Sequence, residues 1–438
     1  MATSKSFLFL AGFLIVASFF FFLLGSYLTR PPQGRSVQRQ VLPASEGLIT
    51  KGLGPLEETE AVDSLSEEEA VREAPKEVRA LYFTCWSASK KGFADKVIKF
   101  ASTTQVNAVV IDLKDFQGWV AYQSKLAKVE SLGTRWVIIK EIEQLIKKLH
   151  EHDIYLIARI SVFQDPVLAK ARPDLGLWSK ENLPESFEEK MPDPSWLWAD
   201  NWGLNWLDPA SPEVREYNID IAQEALELGF DEINFDYIRF PSDGDLKDIH
   251  YPIWSTSTAK HLVIREFFSS LRERLPDTRL SVDLFAFSLV RKTGLGVGQL
   301  LEDSFLYFDY ICPMVYPSHY SYGFLGYENP ADFPYEVVKR TMEEGVERLK
   351  AFKEKMSSAT STLPATSSFA QGGPREITGS FRPWLQDFDL AATYDTEKVK
   401  AEIRAVKDVL GEEFKGFILW NAFNIYTKEA LVEEVPQE

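Results

Sequence analysis

From residue 78 to about residue 430, short apolar runs alternate with stretches whose apolar residues have helical spacing. Short apolar runs between turn residues predict buried strands, and apolar residues three and four positions apart predict amphipathic helices. Strands are predicted at 79–85, 107–115, 155–161, 232–240, 279–287, 310–317, 382–388 and 416–421. Helices are predicted between them at 140–150, 213–229, 259–275 and 397–410.

This alternation is typical of parallel βα units, and eight such units in about 350 residues predict an α/β fold, a (β/α)8 TIM barrel, over residues 78–430. A doubly wound open sheet is the alternative. That fold usually carries a Gly-rich phosphate loop after its first strand, and none is visible here. The pattern therefore favours the barrel.

The N-terminal region has a different pattern. Residues 7–28 form an uncharged run of 22 residues. As a helix this run would span about 33 Å, close to one bilayer core. It is not followed by an A-x-A-like cleavage site, so we interpret residues 1–28 as an uncleaved signal anchor, a single transmembrane helix. Residues 29–77 are rich in Pro, Gly, Ser and Glu and predict a flexible acidic stalk.

Composition narrows the functional classes. The formal net charge of −17 argues against binding to a nucleic-acid backbone, which needs clustered Lys and Arg. The two cysteines, Cys85 and Cys312, lie in apolar runs without zinc-ligand spacing. No P-loop or dinucleotide fingerprint is present. We therefore expect no metal and no cofactor.

One predicted strand carries a carboxylate in an apolar context, within DEINFDYIRFP (231–241). Burying an unpaired charge is costly. In a barrel strand, alternate residues face the interior, so Ile233 and Phe235 are expected to face the helices and Asp236 the interior. Asp236 would then lie near the C-terminal rim, where barrel enzymes carry their chemistry, with Arg239 as a partner.

Other predicted strands also end in polar residues. Asp236, Asp283 and Asp387 are the predicted catalytic carboxylates. The basic and acidic side chains expected to bind substrate are Asp112, Lys114, Arg159 and Arg239. A strand-end aspartate can instead cap the next helix, and this alternative stays open for Asp115 and Asp208.

Aromatic residues on the same side of the barrel suit a sugar, because the C–H faces of pyranose rings pack on indole rings. The predicted groove residues are Trp202, Trp206, Tyr316, His319, Trp384, Trp420 and Asn421. Trp202 and Trp206 belong to a tryptophan-rich segment, 193–206. Such a segment can instead pack a long loop against the barrel.

Paired carboxylates at a barrel mouth suit glycoside hydrolysis, in which one carboxyl group is ionised and the other protonated. The sequence does not supply their separation, so retention and inversion both stay open. Two alternatives remain: a carbohydrate-binding barrel without hydrolysis, and a metal-dependent deacetylase. The deacetylase needs clustered histidines, and of five histidines only His319 is well placed.

Several long motifs resemble a family of glycoside-hydrolase-like domains of bacteria and archaea. Along the chain they are NAVVIDLKD, IARISVFQDPVLAKARPDL, FDEINFDYIRFPSDG, ICPMVYPSHY, RPWLQDF and ILWN. They occur in the same order as in the family and cover residues 78–428. The resemblance implies a (β/α)8 barrel, often secreted or membrane-tethered, without a settled substrate. By motif, it makes Asp236 the catalytic fourth-strand aspartate and places Asp283 and Asp387 in the fifth- and seventh-strand motifs. A Ser/Thr/Gly/Pro-rich stretch, 357–379, departs from the pattern and predicts a surface loop.

We therefore expect a membrane-anchored glycoside hydrolase acting on a polysaccharide. Arg30, Arg35 and Arg39 follow the apolar run, and by the positive-inside rule alone they would place the barrel in the cytoplasm. A long stalk and a polysaccharide-sized groove favour an extracytoplasmic domain instead, and this is the location that we expect.

Overall fold

Eight parallel strands form a closed barrel in the computed structural model, which describes residues 72–360, 377 and 379–432. The strands are β1 Val78–Phe83, β2 Ala108–Lys114, β3 Tyr155–Ser161, β4 Glu232–Asp236, β5 Leu280–Phe285, β6 Tyr310–Val315, β7 Trp384–Gln386 and β8 Gly416–Trp420. Each pairs in parallel with its sequence neighbour, and β8 pairs with β1. The predicted (β/α)8 barrel is confirmed.

Six longer helices connect the strands. They are α1 Phe93–Ala101, α2 Ile142–His150, α3 Pro212–Glu227, α4 Lys260–Arg274, α5 Pro334–Thr360 and α6 Thr396–Leu410. Between β5 and β6 the connection has only the four-residue helices Phe287–Val290 and Leu301–Ser304. Shorter helices lie at Cys85–Ala88, Ala127–Ser131 and Pro166–Ala171, and two-residue strands at Trp178–Ser179, Ile249–His250 and Ser380–Phe381. The four predicted helices agree with α2, α3, α4 and α6 to within two residues.

The apolar side chains fall into two clusters, as alternation along barrel strands requires. The larger cluster packs the helices against the outside of the barrel and includes Ile233 and Phe235. The smaller cluster is made of alternate strand residues that point inward: Val78, Ala80, Tyr82, Ala108, Val110, Tyr155, Ile157, Cys312, Tyr316, Trp384 and Ile418. Asp236 therefore lies on the inner face of β4, as predicted from the spacing.

The end of β4 differs from the sequence expectation. The strand was expected to reach Phe240, but it ends at Asp236 because Tyr237 adopts a left-handed backbone conformation with φ of 51°. That conformation cannot continue an extended strand. Ile238, which follows this turn, packs in the outer cluster. Asp236 is thus the last strand residue before the chain turns at the rim.

The predicted signal anchor and nearly all of the predicted stalk lie outside the described residues. Within the part that the structure describes, every helix is too short or too polar to cross a membrane. Of the predicted loop 357–379, residues 357–360 belong to α5, while 361–376 and 378 also lie outside the described residues.

Candidate active site

Arg159, near the end of β3, contacts three carboxyl groups inside the barrel. Its Nη1 lies 2.6 Å from Oδ1 of Asp112 on β2, and its Nη2 forms an ion pair with Asp236 on β4. Its Nε lies 3.5 Å from Oδ2 of Asp283 on β5. Four of the predicted site residues therefore form one cluster on the inner face of four neighbouring strands, β2 to β5.

The strand register explains this convergence. Asp112 lies directly opposite Arg159 in the pairing of β2 with β3. The pairing of β4 with β5 brings the next inward residues, Asp236 and Asp283, side by side. The Nε and Nη2 atoms that face these two acids belong to one edge of the planar guanidinium group, so both carboxyl groups lie along the same edge.

The two acids differ in accessibility. The side chain of Asp236 is 10% exposed, whereas that of Asp283 is 1% exposed. Burial, reinforced by the charge of Asp236 and partly offset by Arg159, raises the pKa of Asp283 to about 8. Burial also raises the pKa of Asp112, against the opposing effect of Arg159. Asp283 is therefore mainly protonated at neutral pH.

The hydrogen bonds of Asp283 are confined to one carboxyl oxygen, and they lower its pKa only in part against the larger effect of burial. Its Oδ1 accepts from Nδ2 of Asn234 at 2.8 Å and from Nε1 of Trp384 at 2.6 Å. Its Oδ2 is buried and has no hydrogen-bond partner among the described residues. A proton on Oδ2 would reduce the cost of burying this oxygen in charged form, which the contact with Nε of Arg159 at 3.5 Å offsets only in part. Trp384, predicted to contact substrate, is buried and positions this acid.

Two residues of the cluster were not predicted. The hydroxyl of Tyr82 on β1 donates to Asp112, and its ring centroid lies 5.5 Å from the guanidinium carbon of Arg159. Asn234 holds Asp283 as described above. Both lie at inward-facing positions, Tyr82 at the end of an alternating run in β1 and Asn234 two residues before Asp236. Inward parity is therefore the signal that could have identified them.

An aromatic wall lies beside the acids, formed by Tyr316, His319, Phe388 and Trp420. The rings of Tyr316 and Trp420 stack at 5.4 Å and 30°, and Phe388 meets Trp420 edge-on at 4.9 Å. His319 lies 5.3 Å from Tyr316, and burial lowers its pKa to about 4, so it is neutral at pH 7. Burial raises the pKa of Tyr316, which lies beside Asp283 and Asp236.

The structure does not bring Lys114 to the cluster. Its Nζ lies 2.7 Å from Oδ2 of Asp165, both side chains are fully buried, and it also donates to the carbonyl of Ser161 at 2.6 Å. The β2–β3 register shifts between Asp112 and Lys114. This irregularity breaks the alternation, so Lys114 does not share the orientation of Asp112.

Asp387 and Asn421 are also separate from the Arg159 cluster in their contacts. The carboxylate of Asp387 accepts from the backbone N–H of Thr427 at 2.8 Å and from its hydroxyl at 2.7 Å. The side-chain amide of Asn421 donates to the carbonyl of Asp387, and its Oδ1 accepts from the N–H of Phe423 at 2.8 Å. These bonds fix the loop after β8 to the end of β7.

The tryptophan-rich segment is organised by Asp200. Its Oδ2 accepts from Nε1 of Trp206 at 3.0 Å, and its Oδ1 accepts from the backbone N–H of Trp202 at 2.9 Å. Trp206 is fully buried, and its ring centroid lies 4.8 Å from the guanidinium carbon of Arg239. Packing of the loop therefore accounts for Trp206. Trp202 is partly exposed, and its contact with a substrate stays a prediction.

A metal site can be sought among the side chains that bind metals. Across residues 72–360 and 379–432, no group of three or more His, Cys, Asp or Glu side chains is arranged to hold a metal ion. Cys85 and Cys312 are buried free thiols.

Comparison with known proteins gives one family. The sequence profile of the family described as "Putative glycosyl hydrolase domain" matches residues 80–426 of the chain. No curated protein matches the chain in sequence.

Several solved structures are similar to the chain. A hypothetical protein from Ruminiclostridium thermocellum ATCC 27405 is 35% identical, over 46% of this chain and 96% of that one, with a TM-score of 0.40. The PgaB (BpsB) glycoside hydrolase domain from Bordetella bronchiseptica is 13% identical, over 79% and 94%, with a TM-score of 0.49. The glycoside hydrolase domain of PelA from Pseudomonas aeruginosa is 11% identical, over 80% and 97%, with a TM-score of 0.36.

Proposed function

Because the chain belongs to the family described as "Putative glycosyl hydrolase domain", we propose that it is a glycoside hydrolase that cleaves a polysaccharide at the mouth of its barrel. The observation that carries this proposal is the pair of acids on one edge of Arg159. Asp236 is ion-paired with the guanidinium group, while burial raises the pKa of its neighbour Asp283 to about 8. Glycoside hydrolysis needs two carboxyl groups with different protonation states.

In the proposed mechanism Asp236 acts as nucleophile or general base, because it is the more exposed of the pair. Asp283 donates its proton to the glycosidic oxygen as the bond from that oxygen to the anomeric carbon breaks. If Asp236 is the nucleophile, its carboxylate bonds to the anomeric carbon as the glycosidic bond breaks, and a water that Asp283 deprotonates then displaces it, which restores both acids. If Asp236 is the general base, it takes a proton from the water that attacks the anomeric carbon, and both acids return to their starting states by proton exchange with solvent. Because Asp283 is almost inaccessible, its role as the acid implies that a side chain moves when the glycan binds. Tyr316 lies beside both acids.

The remaining residues of the cluster support this pair. The guanidinium group of Arg159 positions Asp236 and offsets part of the cost of burying several acids together. The stacked rings of Tyr316 and Trp420 offer an apolar surface for the C–H face of a sugar ring. Retention and inversion follow from the carboxyl separation in the substrate complex, and both outcomes are compatible with the proposal.

A leaving-group experiment tests the roles of the two acids. The full-length protein and its Asp236→Asn and Asp283→Asn variants would be assayed on a polysaccharide and on a dinitrophenyl glycoside of the released sugar. The dinitrophenolate leaves without protonation, so Asp283→Asn should retain its activity on that substrate while losing roughly 10²–10⁴-fold on the polysaccharide. Asp236→Asn should lose activity on both.

Equal losses of Asp283→Asn on both substrates would contradict its role as the acid. The second candidate function, a carbohydrate-binding barrel, is favoured by the near-complete burial of Asp283. It predicts that the wild-type protein binds glycans but releases no reducing ends.

We also propose that residues 7–28 anchor the chain in a membrane and that the barrel is extracytoplasmic. The uncharged run and the Pro/Gly/Ser/Glu-rich segment after it support this arrangement. The test is whether the protein fractionates with membranes and whether added protease cleaves the barrel in cells whose plasma membrane is intact. Protection from the protease would contradict the proposed orientation.

A further inference from the structure

Arg239 is a second arginine at the barrel mouth, and the proposed mechanism does not use it. It is 7% exposed, and its guanidinium carbon lies 4.8 Å from the ring centroid of Trp206 and 4.6 Å from that of Phe285. Phe285 is two residues beyond Asp283 on β5 and points to the same side of the strand. Arg239 therefore lies one layer further out than Asp283, towards the open end of the barrel.

The polar contacts of Arg239 use only one end of its guanidinium group. Its Nη1 donates to the carbonyl of Phe240 at 3.2 Å and to Oγ of Ser242, an exposed residue, at 3.1 Å. Among residues 72–360 and 379–432, no carboxylate forms an ion pair with Arg239, whereas Arg159 pairs with three. Nε and Nη2 of Arg239 are not fully buried atoms without a hydrogen bond. They therefore border accessible space.

A buried cation without an adjacent anion is costly. Burial accordingly lowers the pKa of Arg239, against the longer-range effect of Asp236, Asp243 and Asp200. The rings of Trp206 and Phe285 stabilise the guanidinium group from its face. When aromatic rings contact the face of a guanidinium group, the N–H groups in its plane stay available. Two of these N–H groups match the spacing of the two oxygens of a carboxylate.

We propose that Arg239 forms a subsite for the carboxylate of an acidic sugar, so that the substrate is a uronic-acid-containing polysaccharide. Nε and Nη2 would donate two parallel hydrogen bonds to the sugar carboxylate. The three aspartates near Arg239 lie beyond ion-pair distance and leave this edge unoccupied. The inference rests on the proposed function, because it names the substrate class of the same site.

Binding of monosaccharides tests this subsite without relying on turnover. Sodium D-glucuronate, D-glucose and sodium sulfate would each be titrated calorimetrically into the full-length protein in detergent. Glucuronate carries a carboxylate at C6 where glucose carries a hydroxymethyl group, so we expect glucuronate to bind at least about tenfold more tightly. Arg239→Gln should remove this preference, and Arg239→Lys should retain only part of it because the charge stays but the fork is lost.

Two controls keep the test interpretable. Arg340→Gln removes an arginine that is 48% exposed and paired with Glu344, and it should leave the glucuronate preference unchanged. Retained glucose binding by Arg239→Gln would establish that this variant is folded.

Equal binding of glucuronate and glucose by the wild-type protein, or a preference that survives in Arg239→Gln, would overturn the subsite. Sulfate binding as tightly as glucuronate would also overturn it, because it would mark a site for free anions. Failure of both sugars to bind would contradict the proposed function itself.

Discussion

Replacing Asp283 with asparagine should change the pH dependence of stability in a defined direction. The folded pKa of this acid is raised to about 8, mainly by burial, whereas an aspartate in an unfolded chain titrates near 3.9. Between these values the folded protein holds a proton that the unfolded chain has lost. Stability contributed by this proton is therefore complete below about pH 4 and decreases as pH rises towards 8.

The magnitude follows from the size of the shift. Each pH unit within the window changes the free energy of unfolding by about 1.4 kcal/mol, so three units from pH 5 to pH 8 correspond to roughly 4 kcal/mol. Asp283→Asn is nearly isosteric with the protonated acid and keeps an oxygen that can accept from Asn234 and Trp384. It carries no titrating proton, so it should abolish this part of the pH dependence.

The assay is urea-induced unfolding of the wild-type protein and Asp283→Asn at pH 5, 6, 7 and 8. The free energy of unfolding of the variant, relative to wild type, should rise by roughly 4 kcal/mol from pH 5 to pH 8. Asp95→Asn, which removes a 67% exposed carboxylate, should show no comparable change. Parallel pH profiles for the wild-type protein and Asp283→Asn would refute the assignment of a protonated Asp283.

Three further substitutions test other parts of the structure. Lys114→Met leaves the fully buried Asp165 without its ion-pair partner and should lower the free energy of unfolding by about 3–5 kcal/mol, as measured in urea; a loss below 1 kcal/mol would contradict this pairing. Gly118→Ala should cost about 2 kcal/mol or more, seen as a lower melting temperature, because φ is +93° and the added Cβ would lie 1.8 Å from Oδ1 of Asp165; an unchanged melting temperature would contradict this geometry. Asp387→Asn should retain kcat within about tenfold, since its carboxylate binds Thr427 rather than Arg159, and a loss as large as that of Asp236→Asn would return Asp387 to the catalytic pair.

Much of the fold followed from periodicity because apolar runs and helical spacing are local properties of the chain. The same alternation placed Asp236 on the inner face of β4 and Asp283 on the inner face of β5. Arg159 and Asp112 also followed from position late in a strand. Their mutual contacts could not be predicted, since these depend on the register between strands that are distant in sequence.

Where sequence reasoning failed, a local irregularity had interrupted the alternation. The register shift in β2 turns Lys114 away from the direction of Asp112 and into an ion pair with Asp165. The left-handed Tyr237 ends β4 four residues earlier than expected. Neither event has a clear sequence signal, because Lys114 lies in an ordinary strand sequence and tyrosine rarely adopts positive φ.

The expected partner of Asp236 was also different. Arg239 follows it by three residues and was expected to pair with it, but Arg159 from the neighbouring strand forms the ion pair. Proximity in sequence did not predict this ion pair, because after the turn that follows Asp236 the guanidinium group of Arg239 lies over the rings of Trp206 and Phe285.

Asp236 and Asp283 are proposed to hydrolyse a glycan at the mouth of the barrel. The most direct measurement is the release of reducing ends by the full-length protein from a panel of bacterial exopolysaccharides, including uronic-acid-containing ones, and cell-wall glycans. Asp236→Asn would be assayed beside the wild-type protein at equal concentration, with folding checked by its melting temperature. We expect release by the wild-type protein and none by a folded Asp236→Asn variant. Equal release by both proteins, or glycan binding without release by either, would contradict the claim.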